Sequence, residues 1–183
     1  MEIAKKITDN KILKILIITF IGSILLTISA KIKIPFYPVP MTMQTFVVIL
    51  LGITFGYKTA ALTVCLYLVE GIVGFPVFSN SPEKGIGITY FVGPTMGYLV
   101  GFLFATIVAG IFSYNKSYVA NFFKILISTS IIYLFGVLWL GTLIGWDKPI
   151  MSFGVYPFLW AELFKILLLL AISKKVSNLR KII

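Results

Sequence analysis

Two ionisable residues stand three positions apart in the last apolar stretch of the chain, residues 157–172: Glu162 and Lys165 in PFLWAELFKILLLLAI. An ionisable group near the centre of a membrane-spanning helix costs ~2.5–3.5 kcal/mol on insertion scales, and such groups mark functional sites. The i, i+3 spacing puts both on one helical face. A carboxylate accepts hydrogen bonds only and an ammonium donates only. The two can neutralise each other as a buried pair, or jointly grip a ligand that carries both donors and acceptors.

The elements that must hold this pair are membrane helices. Of 183 residues, 59% are hydrophobic and 12% are charged, against about 25% charged in a soluble domain, and the mean hydropathy is +1.03. The expected fold is all-α and integral to the lipid bilayer, one transmembrane domain over 1–183. Six apolar stretches of spanning character are expected, at about 12–30, 41–57, 59–73, 88–112, 119–140 and 156–173. The break at 56–58 is tight enough for a helical hairpin. The first stretch, with Lys5, Lys6, Lys11 and Lys14 ahead of it, has the outline of a signal peptide, but its apolar core is long, and an uncleaved first helix is expected.

Six spans put both termini on one side. That side holds Lys5, Lys6, Lys11, Lys14, Lys58, Lys116, Lys124, Lys174, Lys175, Arg180 and Lys181; the other holds Lys31, Lys33, Lys84 and Lys148. The excess of positive charge places both termini in the cytoplasm and turns loops 31–40, 74–88 and 141–155 outward. Glu162 then lies about one and a half turns below the outer surface. The net charge of +10 follows from this topology, and no nucleic-acid partner is expected.

Several chemistries are disfavoured. The chain has no histidine and six scattered acidic residues, so neither a metal site nor a general acid–base set is expected. No catalytic residue and no cofactor are assigned, and the chain is not expected to be an enzyme. The run GITFGYKT (52–59) falls short of a phosphate-binding loop, because its glycines are four apart and Tyr57 precedes Lys58. Gly85 and Gly87 lack the third glycine of a dinucleotide fingerprint. Cys65, the single cysteine, lies in an apolar run and is expected to be inert packing.

Small residues at every fourth position, Gly93, Gly97, Gly101, Ala105 and Ala109, form a stripe suited to close helix packing in lipid. Ser23 and Thr27 make a small polar face on the first span, which packs internally or docks another membrane subunit. The outer loops carry more than connectors need. Pro35, Pro38 and Pro40 stiffen the first, ahead of Thr42 and Gln44. Phe75 and Phe78 stand beside Ser79, Asn80 and Ser81 in the next, a mixture that suits the lid of a small amphipathic ligand.

Three blocks in order, PVPMTMQTF (38–46), GIVGFPVFSN (71–80) followed by PEKGIGITYFVGPTMGYLVGF (82–102), and PFLWAELFK (157–165), resemble the signatures of the BioY family. These are the biotin-specific substrate-binding subunits, or S components, of energy-coupling factor transporters. The resemblance spans about Gly22 to Ala171. It implies a six-helix S-component bundle in a prokaryotic cell membrane and capture of biotin at the outer face. It also implies partnership with a membrane coupling subunit and a pair of cytoplasmic ATPases. The pocket is implied toward the outer ends of helices 4 to 6, closed by the first and third loops. Substrate-binding residues are then Glu162, Lys165, Asn80, Tyr90, Gln44 and Phe78. Glu162 or Asn80 can accept from the ureido N–H groups, Lys165 can meet the ring carbonyl or the valerate, and Tyr90 and the loop phenylalanines can cover the thiophane ring and tail. Which group meets which end is left open.

The chain departs from the family pattern twice: Glu162 stands where aspartate is usual, and Met96 where a glycine is usual. Met96 is expected to face lipid or a neighbouring helix. Two other functions remain in view, an ion-coupled carrier with Glu162 as relay and Glu70 as a second acid, and a structural subunit of a membrane complex.

Overall fold

The computed structural model describes residues 10–114 and 117–182; Lys5, Lys6 and Lys116 lie outside them. Helix α1 (Lys11–Lys31) starts at Asn10, whose side chain accepts from the amides of Ile12 and Leu13 at 3.1 and 3.3 Å, satisfying two of the donors a helix start leaves free. Its Ile12, Leu16, Phe20, Ile24 and Ile28 are exposed, while Gly22, Ser23 and Leu26 are buried. Small and weakly polar residues inside with large apolar ones outside is the pattern of a helix solvated by lipid.

A two-residue ribbon follows: β1 (Lys33–Ile34) pairs antiparallel with β2 (Met41–Thr42), Lys33 opposite Thr42. The second expected span therefore becomes helical only after residues 41 and 42. The helical stretch Gln44–Val73 breaks at Gly56 (φ +74°, ψ 172°) into α2 (44–55) and α3 (57–73). That backbone region is open to glycine at no steric cost. The side chain of Gln44 donates to the Tyr67 hydroxyl at 2.7 Å. In one straight helix these residues would stand ~35 Å apart at 1.5 Å per residue, so the chain doubles back at Gly56 as a hairpin. Cys65 is exposed on α3, on the face turned away from the bundle rather than in packing.

The fourth span departs from expectation at its start. Residues 88–92 belong to a 3₁₀ segment, Gly87–Val92, and α4 runs Met96–Ile111. Pro94 is the cause: a residue before proline is pushed out of the helical region, and Gly93 is extended (φ −79°, ψ 172°). Helix α5 (Tyr118–Ile144) is capped by Ser117, which accepts from the Ala120 amide at 3.2 Å. Then come α6 (Ile150–Gly154), a 3₁₀ turn Tyr156–Phe158, α7 (Leu159–Ser177) and a terminal 3₁₀ segment Asn178–Ile182. Among the described residues four stretches are long and apolar enough to cross a membrane, with the bent Gln44–Val73 counted as one, and Met96–Ile111 is a shorter apolar helix. With the hairpin counted as two arms, six helical segments pack as an all-α bundle.

The small-residue stripe works by close approach. A Cβ added at Gly97 would lie 2.3 Å from Trp139 Cβ and 2.4 Å from the Phe135 carbonyl, and one at Gly101 would lie 2.8 Å from Ile132 Cα, so α4 rests directly on the α5 backbone. Lower down, a Cβ at Gly52 would meet the Thr106 carbonyl at 2.6 Å, which sets α2 equally close to α4.

The two ends of the bundle differ. At one end the loops 32–43 and 74–95 touch each other, and the Tyr98 hydroxyl donates to the Gly154 carbonyl at 2.9 Å. At the other, Arg180 donates to the carbonyls of Ile53, Phe112 and Gly52 at 2.7, 2.9 and 3.0 Å. The described chain begins and finishes at this second end. The α4–α5 contact yields a prediction. Gly97→Val should destabilise the protein by ~1–3 kcal/mol or more through overpacking, while Ile111→Ala, at a 63% exposed position, should stay within ~0.5 kcal/mol. Thermal unfolding of both variants in detergent checks this.

Candidate functional site

At the loop-bearing end the helices stop touching and leave a small cavity of about 50 Å³, tight beside the roughly 300–1,000 Å³ usual for small-molecule sites. Its walls come from five parts of the chain. Val39 to Thr42 of the first loop, and Gln44 and Thr45 at the start of α2, form one side. Ser79 and Tyr90 of the third loop form another. Tyr98, Leu99 and Phe102 of α4, Ile132 and Tyr133 of α5, and Phe158 with Glu162 complete it. Apolar rings and aliphatic groups dominate, with hydroxyls and one carboxylate set among them.

The carboxylate is held by a closed set of bonds. Glu162 is 7% and Lys165 4% exposed. Lys165 Nζ donates to Glu162 Oε1 at 2.7 Å, to the Thr45 hydroxyl at 3.0 Å and to the Thr42 carbonyl at 2.6 Å. The Thr45 hydroxyl in turn donates to Glu162 Oε1 at 2.8 Å. An ammonium has three protons, and all three are spent. Lys165 therefore lies behind Glu162 and off the cavity wall, against an outer groove beside β1 and β2. Tyr133 lines the same cavity beside Glu162.

On the opposite wall, Gln44 is committed through its amide to Tyr67, whose hydroxyl donates to the Val77 carbonyl at 3.2 Å. Tyr90 stacks on Phe78 with centroids 4.7 Å apart, and its hydroxyl lies 3.3 Å from that of Ser79. Phe78, 1% exposed, stands one layer behind the wall. It packs edge-on against Tyr67 and Phe91, in a space a Cβ at Gly71 would fill, since that atom would lie 2.0 Å from the ring.

Of the six residues singled out in the sequence, Glu162, Tyr90 and Gln44 line the cavity, Lys165 supports Glu162, and Phe78 supports Tyr90. Asn80 is turned away: its side-chain oxygen accepts from Lys33 Nζ at 3.1 Å and it is not part of the wall. Met96, half-buried, is not part of it either. Sequence reasoning passed over Thr45, Tyr98 and Tyr133. The first two lie inside the quoted blocks, where polarity next to Gln44 and Gly97 was a usable signal. Tyr133 is a lone tyrosine in an apolar span and carried none. Chemically the site suits a small, compact amphipathic molecule with N–H donors for the carboxylate and an apolar body for the rings. Among the described residues no three His, Cys, Asp or Glu side chains stand together to hold a metal.

Bundle and cavity together define a helical membrane protein with a partly polar cavity at one end. A sequence profile of the BioY family matches residues 4–181, and the chain belongs to that family. It is 32% identical over 154 residues to the probable biotin transporter BioY of Pyrococcus horikoshii, which covers 84% of this chain and 90% of the relative. It is 35% identical over 156 residues to the biotin transporter BioY of Thermotoga maritima, covering 85% and 90%. Among solved structures, the S-component for biotin from an ECF-type ABC transporter superposes with a TM-score of 0.78 over 92% of this chain and 93% of that one, at 21% identity.

The buried charge pair generates a prediction about the ligand-free protein. Lys165→Met leaves the carboxylate buried without a counter-charge and should cost ~3–5 kcal/mol. Combining it with Glu162→Gln should recover a large part of that loss. A double-mutant cycle on thermal unfolding in detergent measures the coupling, and additive single effects would show that the pair carries none.

Proposed function

We propose that this protein binds biotin in the cavity and delivers it for uptake as the substrate-specificity subunit of an ATP-driven energy-coupling factor transporter. The observation that carries the proposal is Glu162, a buried carboxylate paired with Lys165 at the wall of an otherwise apolar and hydroxyl-lined chamber. The ureido ring of biotin is a planar group with two N–H donors and one carbonyl acceptor, and its thiophane ring and tail are apolar. The lone pairs of Glu162 not taken by Thr45 and Lys165 accept from the ureido N–H groups. Charge-assisted bonds of this kind are roughly twice as strong as neutral ones. Tyr90, Tyr98 and Tyr133 supply hydroxyls and ring faces, and Phe102 and Phe158 cover the body of the ligand. Phe78 acts through Tyr90, and Gln44 through Thr42 and Tyr67. Asn80 reaches a ligand only if it leaves Lys33, and Lys165 only if it leaves Thr42 or Thr45.

The family profile and the fully named relatives support the substrate. The chain itself carries no phosphate-binding loop, so ATP turnover belongs to partners: a membrane coupling subunit and a pair of cytoplasmic ATPases. We place the chamber end outward and both termini in the cytoplasm. Among the described residues, Lys11, Lys14, Lys58, Lys124, Lys174, Lys175, Arg180 and Lys181 belong to the far end, and Lys31, Lys33, Lys84 and Lys148 to the chamber end, which is the charge asymmetry of an inward far end. A proton relay at Glu162 is the weaker reading, because Glu162 is paired with Lys165 at 2.7 Å and the second acid, Glu70, is engaged by Ser23 on the first helix.

Calorimetry of the purified protein in detergent, without nucleotide or gradient, tests the assignment. The expected dissociation constant for biotin is nanomolar, ~12 kcal/mol. Glu162→Ala should weaken it at least ~100-fold through loss of a charged hydrogen-bond acceptor. Binding weaker than micromolar in the unaltered protein would reject the proposal.

A further inference from the structure

Four lysines stand at the chamber end, the end that the positive-inside rule leaves poor in lysine. Two of them have local surface roles: Lys148 pairs with Asp147 at 3.1 Å, and Lys84 lies 5.6 Å from the Tyr37 ring centroid. The other two reach across the mouth of the chamber. Lys31 Nζ donates to the carbonyls of Phe78 and Ser81 at 2.8 and 2.9 Å. Lys33 Nζ donates to the Ser79 carbonyl at 2.6 Å and to Asn80 Oδ1 at 3.1 Å. We propose that Lys31 and Lys33 are positioning residues that latch the 78–81 turn over the chamber and thereby set how slowly a bound ligand leaves. The proposal rests on the biotin-binding reading above and adds to it the device that controls retention.

The placement of the two ammonium groups supports this. Lys31 is the last residue of α1, a rigid base, and Lys33 is on β1. The turn they hold is the one that brings Ser79 to the cavity wall and seats Phe78 behind Tyr90. Lys33 also stands opposite Thr42 in the ribbon, and Thr42 is the residue whose carbonyl Lys165 grips. The connection therefore runs unbroken from α7 through Lys165 to Thr42, across the ribbon to Lys33, and over the mouth to Ser79. Three lysines close the ring by donating to backbone carbonyls, a bond that leaves the identity of the loop side chains free.

Lifting the turn to admit or release a ligand breaks all four lysine bonds at once. Water replaces them once the turn is open, so the equilibrium cost is modest, but the bonds must be surrendered before water arrives. A latch of this kind acts on the rate of leaving more than on the rate of arrival, which is where most affinity differences among variants of one site reside. It also follows that the lysines need not touch the ligand.

The test uses the intact protein in detergent and the variants Lys31→Met, Lys33→Met and the double. Dissociation of labelled biotin is followed after addition of unlabelled biotin in excess. The double variant should release biotin about tenfold faster or more, the factor that ~1.4 kcal/mol represents, with association changed far less. Lys33→Gln, which keeps a donor, should fall between wild type and Lys33→Met. Lys148→Met, which removes one outer charge away from the mouth, should release biotin at the wild-type rate. A second readout needs no ligand. Amides in the turn that bond locally, Ser81 to Phe78 and Lys84 to Asn80, should exchange with deuterium about tenfold faster in the double variant, while those of α4 and α5 should not. Unchanged exchange in the turn, or a release rate within about twofold of wild type, overturns the latch. Failure of the unaltered protein to bind biotin, with exchange in the turn still accelerated, overturns the substrate assignment and leaves the tie between the loops standing.

Discussion

The arrangement at the chamber depends on one constraint: an ammonium and a carboxylate cannot sit in lipid unless every proton and enough lone pairs are satisfied. Taking an ion pair out of water costs more than a simple pairing returns, and the difference is made up only by good geometry and further hydrogen bonds. Lys165 meets that requirement with three acceptors, one on its own helix and two on the segment entering α2. Satisfying the charge therefore fixes where α7 lies against the first loop and α2. The same contacts leave Lys165 with nothing to spare and Glu162 with lone pairs open to the chamber. An acid and a base of equal standing in the sequence become a group on the cavity wall and its support.

Packing and void are complementary uses of the same helices. Beside the chamber α4 meets α5 closely at Gly97 and Gly101, and below it α4 meets α2 closely at Gly52. Helices gain no hydrophobic driving force from lipid, so such close contact is the main source of their association. Around the chamber the small residues give way to Tyr98, Tyr133 and Phe158, with Tyr98 bonded to the Gly154 carbonyl on one side and edge-on to Tyr133 at 6.0 Å on the other. Rings braced in this way hold the walls apart, and the cavity persists because the groups around it are already occupied with one another.

Much of this was legible in the sequence, and the parts that were not share a cause. Hydropathy marked the six segments, and the tight break at 56–58 is the hairpin that Gly56 makes. Glu162 was conspicuous because a charge in an apolar run is conspicuous. Hydropathy is blind to backbone restriction, however: residues 88–92 are as apolar as a helix, and only Pro94 explains why α4 begins at Met96. Side-chain direction was equally hidden. Asn80 and Phe78 stand beside Ser79 in the turn, yet only Ser79 reaches the wall, because Lys33 takes the first and Tyr90 covers the second. Lys165 looked equivalent to Glu162 until the acceptors around it, 120 residues away in the chain, were in place. Spacing predicts which residues share a face; it does not say which partner claims them first. Cys65 shows the same limit from the other direction. An apolar neighbourhood in a membrane helix means lipid as readily as core, and α3 turns this thiol outward.

The two ends of the bundle are braced by different chemistry, and the difference bears on which end can open. At the far end a single guanidinium bonds the carbonyls of Gly52 and Ile53 near the end of α2 and of Phe112 just after α4. These are the carbonyls a helix terminus leaves unpaired, at the negative pole of its dipole. One planar group thus ties three segments in a fixed fork. At the chamber end the cross-links come from flexible lysine side chains, two bonds each, onto one loop turn, each replaceable by water once the turn lifts. A fork that spans helix ends resists separation of the helices, whereas lysine tethers on loops yield one loop at a time. The bundle is accordingly braced at its base by a fork across helix ends and at its other end by lysine tethers on loops, and the release proposed above requires no change in how α2, α4 and α5 pack.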